Sequence, residues 1–401
     1  MAIETSVSGV QTRQPARQGT GRFFANQTYH YETLRALGYG LRGGADVNEV
    51  LETTKLVTEG DAQSWYAAWA ATAERALATA ERTRDAASRG AAFLRAHNYQ
   101  RTAEFLLPPD DPKRPRSWEK SISSFYRGLD ALAVPYQRLT IPYQGASLRA
   151  LHLSGPAGSE RRPLVVLVGG FDSILEELYL ALGASALQHG HSVLMYEGPG
   201  QGEALREHGL HFTPEWEKPT AAVLDECLRA HPRPARIVLV GMSMGGFFAP
   251  RAAAFEERID GVVAWDTCFD VAELSRPLLA AAADPVAAAN PDVQWGVSNA
   301  CWTLGTRDAR ETMAAMESYR LAPVAQRIRQ DVLILAGTDD HFIPFHQLAD
   351  FEKALVNANS VTTRIFDRAS GGAQHCQAGA LGLVDAVVFD WMQETFPEAQ
   401  H

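Results

Sequence analysis

Residues 241–245 spell G-x-S-x-G, with Ser243 at the centre of the pattern. The apolar run before this segment is typical of a strand, and the residues after it are typical of a helix. A serine in a sharp strand-to-helix turn can present its hydroxyl group as a nucleophile, while the flanking glycines let neighbouring backbone pass close by. In this context the pattern predicts a nucleophile elbow at Ser243. A tight structural turn is the alternative interpretation.

A nucleophilic serine needs a general base, and the base needs an orienting carboxylate. Around a strand–turn–helix serine, the acid and then the histidine follow along the chain in loops after late strands. The loop after the apolar run 332–336 carries the adjacent carboxylates Asp339 and Asp340. The loop after the run 362–366 is rich in glycine and carries His375, and no other of the 12 histidines combines these two features. The predicted set is therefore Ser243, one of the two aspartates, and His375.

Attack on a carbonyl also requires N–H donors for the oxygen that becomes negative. One donor is expected from the backbone of Met244, directly after the nucleophile. The second is expected from the loop after an early strand, where Gly169-Gly170 precede Phe171, so the Phe171 N–H is the candidate. A strand that simply ends in a glycine turn would look the same.

Asp266 and Asp270 follow the apolar run 261–265, at the edge of the sheet where the other candidates lie. Either carboxylate is a possible auxiliary acid near the substrate. Capping of the segment that follows is an equally good interpretation of both residues.

The elements that must position these residues begin at Tyr136, where short apolar runs alternate with helical segments. Such runs suit a parallel sheet with helices on both faces. Two runs around the turn at Gln144-Gly145 predict a strand pair at the start. The sequence thus predicts an α/β core over residues 133–401. The runs predicted as later strands are 164–168, 192–196, 236–240, 261–265, 332–336 and 362–366.

Two regions depart from this alternation. Residues of about 270–329 are Ala-rich and helical, which predicts a cap over the carboxyl edge of the sheet, where open α/β sheets bind ligands. Residues 23–132 predict a separate N-terminal helical domain, in which Asp61 caps a helix with an apolar aromatic stripe. We expect this domain to dock over the same edge of the sheet. Residues 1–22 are polar and predict a flexible arm.

Composition excludes several classes of function. The chain of 401 residues has 37 basic and 47 acidic side chains, a formal charge of −10, and lacks the basic footprint of nucleic-acid binding. Its charge disfavours anionic membranes, and no apolar run reaches the length of a membrane span. The start has no apolar stretch typical of a secretory signal, so a cytoplasmic location is expected.

No cofactor and no metal ion are expected. The 4 cysteines lack the spacing of a zinc site or a disulfide framework. The segment 38–43 spells G-x-G-x-x-G, but it follows a helical stretch rather than a strand, so it does not predict a dinucleotide site.

Several motifs resemble one subgroup of the α/β-hydrolase superfamily. This subgroup contains 2,6-dihydroxypseudooxynicotine hydrolase and the fungal polyketide-shortening hydrolases of pigment biosynthesis. The loop pattern G-x-x-D-x-x-I-P in this resemblance selects Asp340 rather than Asp339 as the acid. The similar segments in the core are 169–173, 196–203, 337–344 and 371–377, and those in the helical region are 64–69 and 98–105.

The resemblance implies hydrolysis of a C–C bond beside a ketone, by a homodimer whose helical domain roofs the site. The leading hypothesis is a serine hydrolase with Ser243, Asp340 and His375 as its triad, acting on a small apolar or aromatic substrate such as a polyketide-like diketone. A carboxylesterase needs the same residues, and a hydrolase-like cyclase or acyl-transfer enzyme of secondary metabolism could also use them. A non-catalytic ligand-binding protein is disfavoured, because it needs no ordered serine, acid and histidine.

Overall fold

The structure is a computed structural model that describes residues 23–397. The predicted arm at residues 1–22 lies outside the described residues. The first described part of the chain is helical, and β-strands begin only at Tyr136, as the change of hydrophobic period predicts. The helices of this part are α1 (Gln27–Gly38), α2 (Val47–Thr54), α3 (Ala62–Arg82), α4 (Ala86–Glu104) and α5 (Lys113–Ala131).

Eight strands form one sheet in the order β1-β2-β4-β3-β5-β6-β7-β8. The pairs β1–β2 and β2–β4 are antiparallel, and all the other pairs are parallel. The prediction of a mostly parallel sheet is confirmed, and each predicted run coincides with a strand to within a few residues. The strands are β1 (Tyr136–Tyr143), β2 (Ala146–Leu153), β3 (Leu164–Val168), β4 (Val193–Tyr196), β5 (Ile237–Met242), β6 (Gly261–Trp265), β7 (Asp331–Gly337) and β8 (Ser360–Phe366).

Helices connect the strands and cover both faces of the sheet. The predicted helical insertion is present between β6 and β7, where α10 (Val271–Ala281), α11 (Pro291–Leu304) and α12 (Ala309–Met316) follow one another. The other α-helices that follow β1 are α6 (Ala184–Gln188), α7 (Gly202–Arg206), α8 (Glu217–Ala230), α9 (Gly245–Ala253), α13 (His346–Ala354) and α14 (Leu381–Thr395).

Successive side chains of the central strands enter opposite apolar layers, which explains why these strands are apolar throughout. In β3, Val166 packs in a layer with residues of α8, α9 and α13. Its neighbour Val165 packs in the other layer, with residues of α14. Leu94 of α4 and Phe125 of α5 also belong to this second layer, so the N-terminal helices pack against the core.

The aromatic stripe of α3 is part of a separate core within the helical region. Trp65 and Trp69 are fully buried and contact each other, and Trp69 also contacts Tyr99 of α4. Asp61 caps α3 by accepting hydrogen bonds from two backbone N–H groups of the first turn, as predicted. Within residues 23–397, no helix is both long and apolar enough to cross a membrane.

Candidate active site

Ser243 lies between β5 and α9, in a turn that only small neighbours permit. Its backbone is left-handed, with φ 61°, which is unusual for a residue other than glycine. A Cβ atom on Gly241 would lie 1.9 Å from the carbonyl oxygen of Gly245, and one on Gly245 would lie 2.8 Å from the carbonyl oxygen of Val168. Both glycines are therefore needed for the close packing of this strained turn, which leaves the Ser243 side chain half-buried.

The loop after β8 brings the imidazole of His375 to this serine. His375 Nε2 lies 2.8 Å from Ser243 Oγ, and His375 Nδ1 lies 2.7 Å from Asp340 Oδ2. The next residue, Cys376, has φ 50°, so the chain bends sharply where it presents the imidazole. The structure thus brings together the three residues that the sequence predicts as a triad, in a continuous chain of hydrogen bonds.

The two adjacent aspartates of the loop after β7 have different partners. Asp340 contacts His375 through one carboxylate oxygen, while the other accepts the backbone N–H groups of Phe342 and Ile343 at 2.8 and 3.0 Å. Asp339 instead forms an ion pair with Arg368, whose side chain is largely exposed. Of these two adjacent aspartates, only Asp340 is in a position to orient the imidazole.

A second carboxylate reaches the same imidazole nitrogen. Asp266 follows β6 in a left-handed conformation, with φ 61°, and its Oδ2 atom lies 3.2 Å from His375 Nδ1. It also accepts hydrogen bonds from the Cys376 N–H and, at 3.4 Å, from the side-chain amide of Gln377. Burial, and then the neighbouring Asp340, raise the pKa of the Asp266 carboxyl. Asp266 therefore holds both the imidazole of His375 and the loop after β8 that carries this residue, here called the histidine loop.

The two carboxylates stabilise the charged form of His375. Burial alone would lower the pKa of this imidazole, but the Asp340 charge and a hydrogen bond to Asp266 raise it well above the ordinary value. A proton taken from Ser243 would thus be held firmly at Nε2 until it is passed to a leaving group.

Asp270 has a different environment. Its carboxylate accepts the Glu273 N–H at 3.0 Å and thereby caps α10, and it forms an ion pair with Arg320 at 3.2 Å. Of the two candidate auxiliary acids, the structure brings only Asp266 to the imidazole.

The loop after β3 passes directly over the nucleophile. A Cβ atom on Gly170 would lie 2.8 Å from the Met244 nitrogen and 2.9 Å from the Ser243 Cβ atom, so glycine is required there. The predicted donors Met244 and Phe171 therefore belong to two segments in contact beside Ser243. The side-chain amide of Gln201 holds the loop by donating to the carbonyl oxygens of Gly169 and Gly170, at 2.8 and 2.9 Å.

Sequence reasoning missed the residues that hold the site in place, among them Gln201. This residue lies in the glycine-rich segment 196–203, which is one of the motifs that carry the resemblance. It also missed a buried group of charges, here called the ion cluster, that joins α1 and α4 to the loop after β3. Arg35 binds both oxygens of Glu177 at 2.8 Å, and Arg35 and Arg101 contact Asp172 at 2.7 and 2.6 Å. The ion cluster consists of Glu32, Arg35, Arg101, Asp172 and Glu177.

The helical region also touches the histidine loop. The Tyr31 hydroxyl of α1 donates to the backbone carbonyl of His375 at 3.3 Å, and its ring lies 5.9 Å from the imidazole. On the cap side, the α11 indole of Trp295 stacks on Phe105 at 4.5 Å, and its N–H donates to the Phe105 carbonyl oxygen. The helical region and the cap therefore meet over the edge of the sheet that carries Ser243.

Comparison with known proteins identifies the family to which this fold belongs. The model of the Alpha/beta hydrolase family matches residues 164–376. The chain belongs to this family and is an enzyme of the hydrolase type.

Particular relatives match almost the whole chain. Hydrolase acrC of Aspergillus aculeatus is 31% identical over 94% of this chain and 98% of its own length. The 20-hydroxy-prefusarin hydrolase FUS2 of Gibberella moniliformis is 30% identical over the same shares of the two chains. Among solved structures, 2,6-dihydroxy-pseudo-oxynicotine hydrolase has a TM-score of 0.72 at 20% identity, covering 90% of this chain and 96% of that one. The likeness to that structure is one of fold, and the predicted resemblance to this group of hydrolases is confirmed.

Proposed function

We propose that the enzyme is a serine hydrolase that cleaves the C–C bond beside a ketone in a small polyketide-like or aromatic diketone. Ser243 is the nucleophile, His375 the general base and acid, and Asp340 the residue that orients the imidazole. The observation that carries the proposal is the chain of hydrogen bonds from Ser243 Oγ through both nitrogens of His375 to Asp340.

The first half of the reaction forms an acyl-enzyme. Ser243 Oγ attacks the ketone carbon while His375 Nε2 takes the hydroxyl proton, and the Met244 and Phe171 N–H groups bind the oxyanion. The carbonyl then re-forms, and the bond to the adjacent carbon breaks. Its electron pair passes to the leaving half as an enolate, which His375 Nε2–H protonates on carbon to release a ketone.

The second half hydrolyses the acyl-enzyme. His375 removes a proton from water, whose oxygen attacks the acyl carbon and forms a second oxyanion. The bond to Ser243 Oγ breaks, His375 returns its proton to the serine, and a carboxylic acid leaves. Diketone and water thus yield one acid and one ketone, with no oxidant or reductant.

The surroundings of His375 favour a carbon leaving group over the alkoxide of an ester. Protonation on carbon is slower than on oxygen, so the imidazolium has to persist, and the site has to be protected from water. His375 is only 3% exposed, its charged form faces two carboxylates, and the rings of Tyr31 and Phe342 lie 5.9 and 5.0 Å from its own. The relative named 20-hydroxy-prefusarin hydrolase supports a small metabolite as the class of substrate.

The test is cleavage of 1-phenylbutane-1,3-dione in water enriched in oxygen-18. We expect acid and methyl ketone products in equal amounts, with the heavy oxygen in the acid, and no turnover by Ser243→Ala. Ser123→Ala, which alters an exposed serine of α5, is the matched control and should retain full activity. Hydrolysis of phenyl acetate without cleavage of any of a panel of 1,3-diketones would show an esterase instead.

A further inference from the structure

A pocket beside the candidate active site lies between the helical region, the loop after β3 and the cap. The centre of a water-sized molecule can occupy about 30 Å³ of it, roughly the room needed for two water molecules or one small polar group. Its wall begins at Phe171, one residue after the glycine that abuts Ser243, and reaches Arg114 of α5 and Arg206 of α7. A substrate with its carbonyl at Ser243 could extend past Phe171 into this space.

Positive charge is in excess at the far end of the pocket. Arg206 forms two hydrogen bonds with the Glu104 carboxylate, at 3.1 and 2.7 Å, and this pair uses the one buried acid between the two arginines. Arg114 Nε lies 3.6 Å from Glu104 Oε2, so the two charges form an ion pair without a hydrogen bond between these atoms. Of the two acids that follow along the chain, Asp110 is exposed, and Asp111 accepts hydrogen bonds from the Gln63 side chain and the Lys113 N–H.

Arg114 has one buried donor without a hydrogen bond. Its side chain is 8% exposed, and its Nε–H group has no hydrogen-bond partner among residues 23–397. One terminal nitrogen donates to the Leu107 carbonyl oxygen at 3.2 Å. Burial lowers the pKa of Arg114 to about 10. The negative charge of Glu104 acts against this shift, and the positive charge of Arg206 adds to it. A buried cation with an unpaired donor is costly unless an anion completes its environment.

Aromatic rings flank this end of the pocket. The guanidinium of Arg114 lies 4.6 Å from the centre of the Trp302 ring, and that of Arg206 lies 5.3 Å from it. Trp295 and Phe171 contact each other edge to face nearer the nucleophile. A guanidinium whose face lies over an indole still presents N–H groups at its edge, where they can bind an anionic oxygen.

We infer that this pocket binds an anionic end of the substrate, with Arg114 as the main donor and Arg206 beside it. The ligand group is a carboxylate, or the ionised enol of an acidic 1,3-dicarbonyl, because both offer two coplanar oxygens to a guanidinium. This inference rests on the proposed function, since it assigns the remote end of the same substrate.

Binding of a matched ligand pair tests the inference without turnover. We would titrate 5-oxo-5-phenylpentanoate and its uncharged primary amide into the full-length Ser243→Ala variant by calorimetry. The carboxylate should bind at least about tenfold more tightly, the scale of one charge-assisted hydrogen bond. Arg114→Gln should reduce this ratio to below about twofold, while Arg116→Gln, an exposed arginine of the same helix, should leave it unchanged.

Equal affinity for the two ligands, absence of binding by both, or a preference that survives Arg114→Gln would overturn the inference. Arg114→Lys, which keeps the charge, and circular dichroism of each variant separate loss of the anion contact from misfolding. A second arm uses 2-acetylcyclohexane-1,3-dione, which is ionised at neutral pH. Binding of this compound that depends on Arg114 would identify the enolate as the group recognised.

The proposed function and this inference fail in different ways. If Ser243 is not the nucleophile, Ser243→Ala retains turnover, but the preference for the carboxylate in binding is unaffected. If the pocket does not bind anions, the preference disappears, but cleavage of an uncharged diketone still depends on Ser243.

Discussion

Two buried groups of acids flank the loop between β3 and Glu177, and they are neutralised in different ways. In the ion cluster, Glu32, Asp172 and Glu177 are paired with the permanent cations of Arg35 and Arg101. Beside Ser243, by contrast, Asp266 and Asp340 share one imidazole, and their other partners are backbone N–H groups and an amide.

This difference separates a structural role from a chemical one. Arginine keeps its proton in proteins, so the ion cluster can fix the position of a loop but cannot transfer a proton. Histidine gains and loses a proton near neutral pH, so a pair of acids around it controls when that proton moves. We therefore expect substitutions beside Ser243 to change rates and pH profiles, and those in the ion cluster to change stability.

The largest effect is expected for Ser243→Ala, which removes the nucleophile. The value of kcat should fall by roughly 10⁴–10⁶-fold while the unfolding temperature stays the same. Steady-state kinetics on the cleaved diketone and a thermal melt measure the two quantities. A variant that retained more than a tenth of the activity would show that His375 acts as a base without a covalent intermediate.

Asp340→Asn should lower kcat by about 10³–10⁴-fold, because the amide would stabilise the wrong tautomer of His375. Asp339→Asn is the matched control, and its kcat should change by less than about threefold, because Asp339 pairs only with an exposed arginine. The opposite ranking of the two variants would mean that Asp339 is the acid of the triad.

On the other side of the comparison, Arg101→Met should lower the free energy of unfolding by about 3–5 kcal/mol, since it leaves buried carboxylates unpaired. Denaturant unfolding measures this value. Arg229→Met removes an exposed partner of Glu226 and should cost less than about 1 kcal/mol. Equal losses in the two variants would contradict the structural role of the ion cluster.

Among the three residues in the hydrogen-bonded group around His375, Asp266 should show the smallest effect: Asp266→Asn should lower kcat by about 10–100-fold, with a distinctive change in pH dependence. His375 has to be neutral to act as a base, and its raised pKa places the acidic limb of kcat/KM above the usual value of about 6.5. Loss of the hydrogen bond from His375 to the Asp266 carboxylate removes one of the interactions that raise this pKa, so the limb should move to lower pH. Asp367→Asn, which alters an exposed residue of the loop after β8 that also carries His375, should leave the limb in place. An unmoved limb in Asp266→Asn would indicate a purely structural residue.

The parts of the site that the sequence could predict are those with local signals. Ser243 stands in a five-residue pattern between a strand and a helix, and His375 is the histidine of a glycine-rich loop after a late strand. Adjacent aspartates give no local signal for their orientation, so Asp339 and Asp340 could be distinguished only by resemblance before the structure was available.

Contacts between distant segments could not be predicted in this way. Arg101 and Asp172 are 71 residues apart, and charged residues in helical periods usually indicate solvent-exposed faces. Their burial depends on how α4 packs over the loop after β3, which no local pattern encodes. The predicted homodimer and the division into domains at residue 132 stay predictions.

The most direct test of the central claim is covalent trapping of the nucleophile with an alkyl fluorophosphonate, followed by peptide mass spectrometry. The account predicts one adduct, on the peptide that contains Ser243, and labelling at least about 10²-fold slower in His375→Ala, which lacks the base. An adduct on another residue, or labelling of Ser243 at the same rate without His375, would contradict a serine nucleophile activated by this histidine.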